Sequence, residues 1–109
     1  MSPNAENVRS QMRKGVLEYC ILGILAKKES YASAILADLK DSGMIIVEGT
    51  LYPLLIRLKN QGSLDYRWEE STQGPPRKYY CISDEGRALL SEMDASWNEL
   101  VETIKTIRQ

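Results

Sequence analysis

The chain has 109 residues, a length typical of one domain, and its 43% apolar and 27% charged residues are typical of a globular protein. It contains no histidine, which excludes histidine-based acid–base catalysis, histidine triads and the common zinc sites. No apolar run approaches the roughly 18 residues that span a membrane, and the N-terminus lacks the apolar core of a signal peptide. We therefore expect a cytoplasmic protein that is not an enzyme and needs no cofactor.

The net charge of −1 is unevenly distributed along the chain. Residues 83–109 carry six acidic and three basic side chains, whereas residues 48–82 carry five basic and four acidic ones. A local binding face depends on such segments more than on the total charge. The acidic balance therefore does not exclude an anionic partner.

The first half of the chain contains two predicted helices. Residues 1–8 have few apolar side chains, so we expect a mobile start. Apolar residues then recur at helical spacing over residues 9–26, which predicts one helix. Ser30 is of a type that caps helices, and it is predicted to open a second helix that ends at Gly43. The cysteines, Cys20 and Cys81, have apolar neighbours and are expected to be buried, reduced and inert.

A third helix is predicted after the short β-branched run of residues 44–47, which forms a connector or a minor strand. It begins near residues 48–50 and ends close to Gln61, before Gly62. Pro53 lies within it and is expected in the first turn, where amide groups have no intrahelical partners.

Two strands follow, and they are predicted to form a hairpin. Apolar and charged side chains alternate over residues 64–70, and residues 78–82 form the second strand. The turn-forming residues 71–76 between them predict a loop too long for a tight two-residue turn. We expect Trp68 to pack under the hairpin.

A long helix is predicted over residues 83–109, with Ser83 as its N-cap. Its apolar residues step by three or four positions, as in a coiled-coil seam. The seam consists of Leu90, Met93, Trp97, Leu100, Ile104 and Ile107. A lone helix cannot cover such a seam, so we expect it to pack against the same helix, or the first helix, of a second copy. Packing entirely within one chain is the alternative.

Three helices followed by a hairpin are typical of a winged helix-turn-helix, in which the third helix enters the major groove of DNA. The candidate DNA contacts on this helix are the residues that the core does not need: Glu48, Gly49, Thr50, Tyr52, Arg57 and Lys59. Three further candidates, which lie at the predicted wing tip, are Gly74, Arg77 and Lys78. Taken singly, each group also fits an ordinary surface helix or a solvated turn.

The chain resembles the PadR family of transcriptional regulators in its motifs. These motifs are GTLYPLLIRL at 49–58, QG at 61–62, WEE at 68–70, GPPRKYY at 74–80 and DEGR at 84–87. The resemblance extends over residues 14 to about 90, and the single C-terminal helix resembles the compact subfamily that includes regulators of multidrug efflux pumps. It implies a homodimer in which the terminal helix is the main dimer contact. This dimer usually acts as a repressor that a small molecule releases from DNA.

A ligand site is expected around Trp97, because two tryptophans near a dimer axis can sandwich a flat compound. The resemblance implies Trp97 as the ligand residue, with Met12, Val16 and Leu100 as walls. The acidic residues of the terminal helix are expected to favour cationic compounds; these are Asp94, Glu99 and Glu102. The alternative is a dimer-core tryptophan without a ligand.

The sequence thus predicts a mainly α fold with a small β-hairpin: a mobile start at 1–8, a winged helix-turn-helix at 9–82 and a dimerisation helix at 83–109. The predicted function is regulation of transcription by a homodimer on double-stranded, inverted-repeat operator DNA, with a small aromatic or cationic effector. The rival hypothesis is a winged helix that docks other proteins and does not bind DNA.

Overall fold

The computed structural model describes residues 3–109, with side chains from Ala5 onward. Over this range the chain forms five helices and three strands. In chain order these are α1 (Pro3–Lys14), α2 (Leu17–Lys27), β1 (Ser30–Tyr31), α3 (Ala32–Asp41), α4 (Glu48–Asn60), β2 (Leu64–Ser71), β3 (Gly74–Ile82) and α5 (Asp84–Arg108). The mainly α fold with a winged helix-turn-helix and a long terminal helix is confirmed.

The first predicted helix is in fact two helices. Helix α1 begins at Pro3, inside the segment expected to be a mobile start, and α2 begins at Leu17. The break falls at Gly15 and Val16, where glycine has a low helix propensity. Helix α2 buries one side in the core, whereas from Ala5 to Lys14 α1 buries no side chain. The break thus separates a core helix from a surface helix.

The prediction that Ser30 caps a helix is wrong. Ser30 is buried in strand β1 and pairs with Tyr80, and Tyr31 is the residue that precedes α3, with no side-chain cap. Strand β1 adds to the predicted hairpin, so that the sheet has three antiparallel strands in the order β1-β3-β2. Two residues are too few for a period-two pattern, and the strand therefore gave no signal in the sequence.

The core is one cluster of aliphatic side chains from α2, α3, α4 and β2, closed by Tyr80 of β3. Its fully buried members include Ile21, Leu22, Ile35, Leu51, Leu55, Leu58 and Leu64. The first turns of α5 pack against this cluster through Leu89, Leu90 and Met93. The start of the terminal helix is therefore packed against the core of the winged helix-turn-helix.

Both glycine stops are confirmed: Gly43 and Gly62 have φ of 97° and 83°, a left-handed conformation that favours glycine. Helix α4 also starts and ends where predicted, but Pro53 is its sixth residue and lies beyond the first turn. Proline has no amide hydrogen, so the carbonyl of Gly49 lacks the helical hydrogen bond that residue 53 would otherwise donate. Gly49 is exposed, and solvent can satisfy that carbonyl.

The hairpin turn is tighter than predicted. Ser71 pairs with Gly74, so Thr72 and Gln73 form a two-residue turn, and the register shifts between Glu69 and Ser71. Pro75, which the sequence places in the loop, extends strand β3 instead. Proline is tolerated in a strand beside a bulge, or where no neighbouring strand needs its amide hydrogen. Strand β1 pairs with β3 only at Tyr79 and Tyr80 and therefore does not extend to Pro75.

Trp68 does not pack under the hairpin as predicted. Its side chain is 63% exposed and lies edge-on to the Tyr66 ring, with centroids 6.2 Å apart. The sheet has helices against its root and none against its outer part, so the alternating pattern of β2 does not bury its outer residues.

Helix α5 begins as predicted at a Ser83 cap. The hydroxyl of Ser83 accepts a hydrogen bond from the amide of Gly86 at 3.0 Å and donates one to the carbonyl of Gly62. It therefore satisfies a free amide of the first turn and also ties α5 to the loop after α4.

We expect Ser83→Ala to lower the free energy of unfolding by about 1–2 kcal/mol, because both hydrogen bonds are lost. Urea unfolding at fixed protein concentration measures the change. Ser91→Ala, on the exposed side of the same helix, is the control and should change little. Equal stability of the Ser83 variant would show that the cap does not hold the helix start.

Candidate nucleic-acid interface and ligand cavity

Helix α4 occupies the position of a recognition helix, after α2 and α3 and before the hairpin. One side is buried through three leucines of the core. Helical spacing of 100° per residue places a different set on the opposite side. This outward side consists of Gly49, Pro53, Ile56 and Asn60, all of which are exposed.

The predicted contacts on α4 lie around this side. Glu48 and Gly49 are exposed in the first turn, and Thr50 is half-buried. Tyr52 is 44% exposed on the flank nearest the hairpin. Lys59 is on the same flank, with its Nζ 5.9 Å from the centre of the Tyr66 ring. The structure thus brings Tyr52 and Lys59 together beside the wing.

Arg57 lies on the other flank of α4, away from the wing. Its Nε is 3.2 Å from Oε1 of Glu18 on α2, and it lines a cavity next to Trp97. Five residues separate Arg57 from Tyr52, which places them about 140° apart around the helix. The sequence prediction grouped them because both are polar and neither is needed for the core.

The two cations of the wing lie on strand β3 and not at the turn itself. In the strand register, Arg77 lies opposite Glu69 of β2 and Lys78 lies opposite Trp68, whereas Gly74 is the residue beside the turn. Consecutive strand residues point to opposite faces. The guanidinium of Arg77 is 4.5 Å from the Tyr31 ring centre. The ammonium of Lys78 is 4.2 Å from the Tyr66 ring and 5.3 Å from the Trp68 ring. Aromatic rings therefore hold both cations.

A groove of about 370 Å³ runs between α4 and the wing. Its lining includes Tyr31, Tyr52, Ile56, Trp68, Arg77 and Lys78. Three of these, Tyr31, Ile56 and Trp68, were not among the predicted contacts. A helical wheel of α4 would have found Ile56, whereas Trp68 and Tyr31 reach the groove through sheet pairing that no local pattern reveals.

Arg67, the remaining arginine of the wing, is neutralised by two carboxylates. It forms ion pairs with Glu29 and with Glu69, the latter at 2.8 Å. Its hydrogen bonds hold the pKa of Glu29 below the ordinary value, and those carboxylates raise the pKa of Arg67. This cation is therefore less available to an external anion than Arg77 or Lys78.

A second cavity, of about 440 Å³, lies between α2, α4 and α5. Three of the four predicted ligand residues line it, namely Trp97, Val16 and Leu100. Met12 does not line it and is 71% exposed on α1. The Tyr19 ring lies 6.4 Å from the Trp97 ring. Its hydroxyl donates a hydrogen bond to Asp94, and this bond raises the pKa of Tyr19.

The charges at this cavity differ from those predicted. Asp94 is bonded to Tyr19, Glu102 pairs with Lys105 at 3.3 Å, and neither of them, nor Glu99, lines the cavity. The charged lining residues are instead Lys14, Arg57 and Glu18. Two cations and one anion do not specifically favour a cationic compound.

The apolar seam of α5 is divided between two environments. Leu90 and Met93 pack partly against the core of the same chain. Trp97, Leu100, Ile104 and Ile107 are 42%, 50%, 48% and 74% exposed. A single chain therefore leaves the outer four residues of the seam only partly covered.

The cysteines and acidic residues show no sign of a metal site. Cys20 and Cys81 are free and half-buried, and burial raises the pKa of the Cys20 thiol. Among residues 3–109 no group of histidine, cysteine, aspartate or glutamate is arranged to hold a metal ion. In the same described range, no helix is both long and apolar enough to cross a membrane.

The family model of the transcriptional regulator PadR-like family matches residues 21–92. The chain belongs to the PadR-like family of transcriptional regulators. An uncharacterized protein of Lysinibacillus sphaericus is 32% identical over 100 residues, which are 89% of this chain and 92% of that protein.

Solved structures of PadR-like regulators have the same fold. A PadR-like transcription factor from Bacteroides fragilis is 59% identical, with a TM-score of 0.80, and the match covers 93% of this chain and 98% of that one. A PadR-like regulator from Bacillus cereus is 38% identical, with a TM-score of 0.80 over 91% and 97% of the two chains. The predicted PadR resemblance is confirmed. The efflux-regulator subfamily stays a prediction.

Proposed function

We propose that this PadR-like regulator binds an inverted-repeat operator as a homodimer and represses transcription until a small aromatic compound releases it. The observation that carries the DNA-binding part is the groove between α4 and the wing. One side of it is the exposed flank of the predicted recognition helix, and the other side holds Arg77 and Lys78. If α4 lies in the major groove, the sugar–phosphate backbone that borders this groove would pass these two cations.

All the predicted contacts except Arg57 take a role in this arrangement. The start of α4, with Glu48, Gly49 and Thr50, approaches the sugar–phosphate chain. Hydroxyl and ammonium groups of Tyr52 and Lys59 bind phosphates beside the wing. Gly74 lets the tight turn approach the backbone closely, and Arg77 and Lys78 neutralise phosphates without reading sequence. Arg57 is the exception, because it faces the Trp97 cavity.

The terminal helix supports a homodimer. The exposed parts of its four outer seam residues would be buried against a second copy, and an isologous contact repeats the same surface on both chains. Two recognition helices related by a two-fold axis then meet half-sites about one helical turn apart. This geometry is the reason for proposing an inverted repeat.

Fluorescence anisotropy with a labelled duplex from upstream of the protein's own gene tests the proposal. Specific binding of two chains per duplex, which weakens as salt rises, is the expected result. A folded dimer that binds no duplex above background would instead favour the protein-docking hypothesis. Transcription from that region in the presence and absence of the protein distinguishes repression from activation.

We expect Ile104→Ala to raise the dimer dissociation constant about tenfold to a hundredfold, because both copies lose apolar burial at the seam. Sedimentation over a concentration series measures it. Ala95→Ser, at an exposed position of the same helix, is the control. An unchanged dissociation constant would place the dimer contact elsewhere.

The Trp97 cavity is the proposed effector site. Its aromatic and aliphatic lining suits a planar ring, and its lining residue Arg57 belongs to α4 and forms an ion pair with Glu18 of α2. A compound that breaks this ion pair would remove a contact that holds α4, the proposed recognition helix, against α2. The mixed charges of the lining leave the charge of the compound to experiment, for which naphthalenes bearing a carboxylate, an ammonium or a hydroxyl group are matched probes.

We expect Trp97→Ala to bind DNA as a dimer and to lose its release by these probes. Duplex release is followed by anisotropy. Binding is also followed by quenching of Trp97 fluorescence in a Trp68→Phe background, where Trp97 is the single tryptophan. Trp97→Phe should retain part of the response. A monomeric Trp97→Ala variant would show instead that this residue is first of all part of the dimer core.

A further inference from the structure

Between the Arg57 flank and the wing flank, the outward side of α4 carries no charged group. It consists of Gly49, Pro53, Ile56 and Asn60, and only Asn60, in the last turn, has a side chain that forms hydrogen bonds. Ile56 lies one turn before Asn60 and is 55% exposed. Helix faces that read bases by hydrogen bonding present polar or charged side chains, such as arginine or asparagine. This face is mainly apolar.

The exposed isoleucine is not part of the core of its own chain. Its neighbour Leu55 is turned by about 100° around the helix and is fully buried, whereas Ile56 borders the open groove that faces Trp68 and Lys78. Pro53 precedes it by one turn on the same side, so the two side chains form a continuous apolar strip. An external apolar group would be needed to cover this strip.

The edges of base pairs in the major groove offer one such group. Guanine, adenine and cytosine present hydrogen-bond donors and acceptors there, whereas thymine adds a 5-methyl group. A branched aliphatic side chain is complementary to that methyl. The hydroxyl of Tyr52 and the ammonium of Lys59 flank the strip and can hold the neighbouring phosphates.

We propose that Ile56, supported by Pro53, contacts the 5-methyl group of one thymine in each operator half-site and so determines part of the sequence specificity. The inference rests on the proposed function, because it requires α4 to lie in the major groove. It adds the base and the atom that are recognised.

The test begins with a duplex selected from a random library for binding to the full chain. Each thymine is then replaced by deoxyuridine, which removes only the 5-methyl group. Substitution at the contacted thymine should weaken binding about fourfold in one half-site and about fifteenfold in both, the effect of burying one or two methyl groups. Substitution at the other thymines should have little effect.

Two variants assign the effect to Ile56. The Ile56→Ala protein should bind the thymine and deoxyuridine duplexes equally well, since it has no side chain to reach the methyl. Ile45→Ala removes an isoleucine that is 68% exposed but lies outside α4, and it should keep the full difference. The deoxyuridine series with the unaltered protein is informative even if Ile56→Ala folds poorly.

The failure of this inference differs from the failure of the proposed function. Specific, salt-sensitive binding that no deoxyuridine substitution weakens would overturn the inference and leave DNA binding intact. A methyl effect that persists in Ile56→Ala would also overturn it, because another residue would then read the methyl. If no duplex is selected at all, DNA binding fails, and the inference fails with it.

Discussion

Gly86→Ala is expected to lower the free energy of unfolding by roughly 3 kcal/mol, a larger loss than that expected for Ser83→Ala. Small domains are stable by only about 5–15 kcal/mol. The variant should therefore unfold at clearly lower urea concentration, or fail to accumulate as a folded protein.

The physical reason is the close approach of α5 to the loop after α4. A Cβ atom at Gly86 would lie 2.1 Å from the carbonyl oxygen of Ser63 and 2.7 Å from Cγ1 of Ile82. The carbonyl cannot simply turn away, because it accepts a hydrogen bond from the amide of Ser83 at 3.1 Å. Relief of the contact would require the first turn of α5 to move from the core.

Gly23→Ala is the matched control, since Gly23 is also a helical glycine and a Cβ atom added there would have nothing within 4 Å. Alanine at this position should stabilise the protein by about 0.5–1 kcal/mol through helix propensity. Urea unfolding of both variants at equal protein concentration gives the comparison. Similar stabilities of the two variants would mean that α5 does not require the close contact at Gly86.

The double substitution Arg77→Ala with Lys78→Ala is expected to weaken binding to every duplex by about 100-fold to 1000-fold at physiological salt. If each cation contacts one phosphate, a dimer loses four phosphate contacts. The slope of log affinity against log salt should then fall by about 3.6. Because phosphate contacts carry no base information, affinity for specific and nonspecific duplexes should fall together.

The control removes the same charge from elsewhere on the chain. Lys40→Ala with Lys105→Ala also deletes two exposed cations, from α3 and α5, and should leave the salt slope nearly unchanged. Anisotropy titrations at several salt concentrations measure both double variants. Unchanged affinity and slope in the Arg77 and Lys78 variant would exclude the wing from the DNA interface.

Regular elements of this chain were predictable where a long pattern carries them. Helices α3, α4 and α5 each have several apolar residues at helical spacing, and Gly43, Gly62 and Ser83 mark ends whose chemistry is local. Strand β1 and the tight turn were missed. Two residues carry no periodicity, and a proline next to a bulge looks the same in sequence as a proline in a loop.

The candidate site was predicted in part for the same reason. Tyr52, Arg77 and Lys78, which line the groove, were predicted as DNA contacts together with Lys59, because polar side chains on a recognition helix and a wing have an expected place. Arg57 was grouped with them, although its partner Glu18 is 39 residues earlier in the chain. Trp68 was expected to be buried because aromatic alternation indicates a covered face, yet no helix covers the outer sheet.

Family, fold class and the segments proposed to face DNA follow from residue type and spacing, since helix periodicity, caps and the PadR motifs are local features. Which side of α4 faces outward, which cations are already neutralised and which part of the α5 seam is left only partly covered depend on contacts between distant segments. Burial, ion pairing and ring stacking arise only when the chain is packed. Tertiary structure alone therefore separates Arg57 from the wing and leaves Ile56 exposed on α4, the proposed recognition helix.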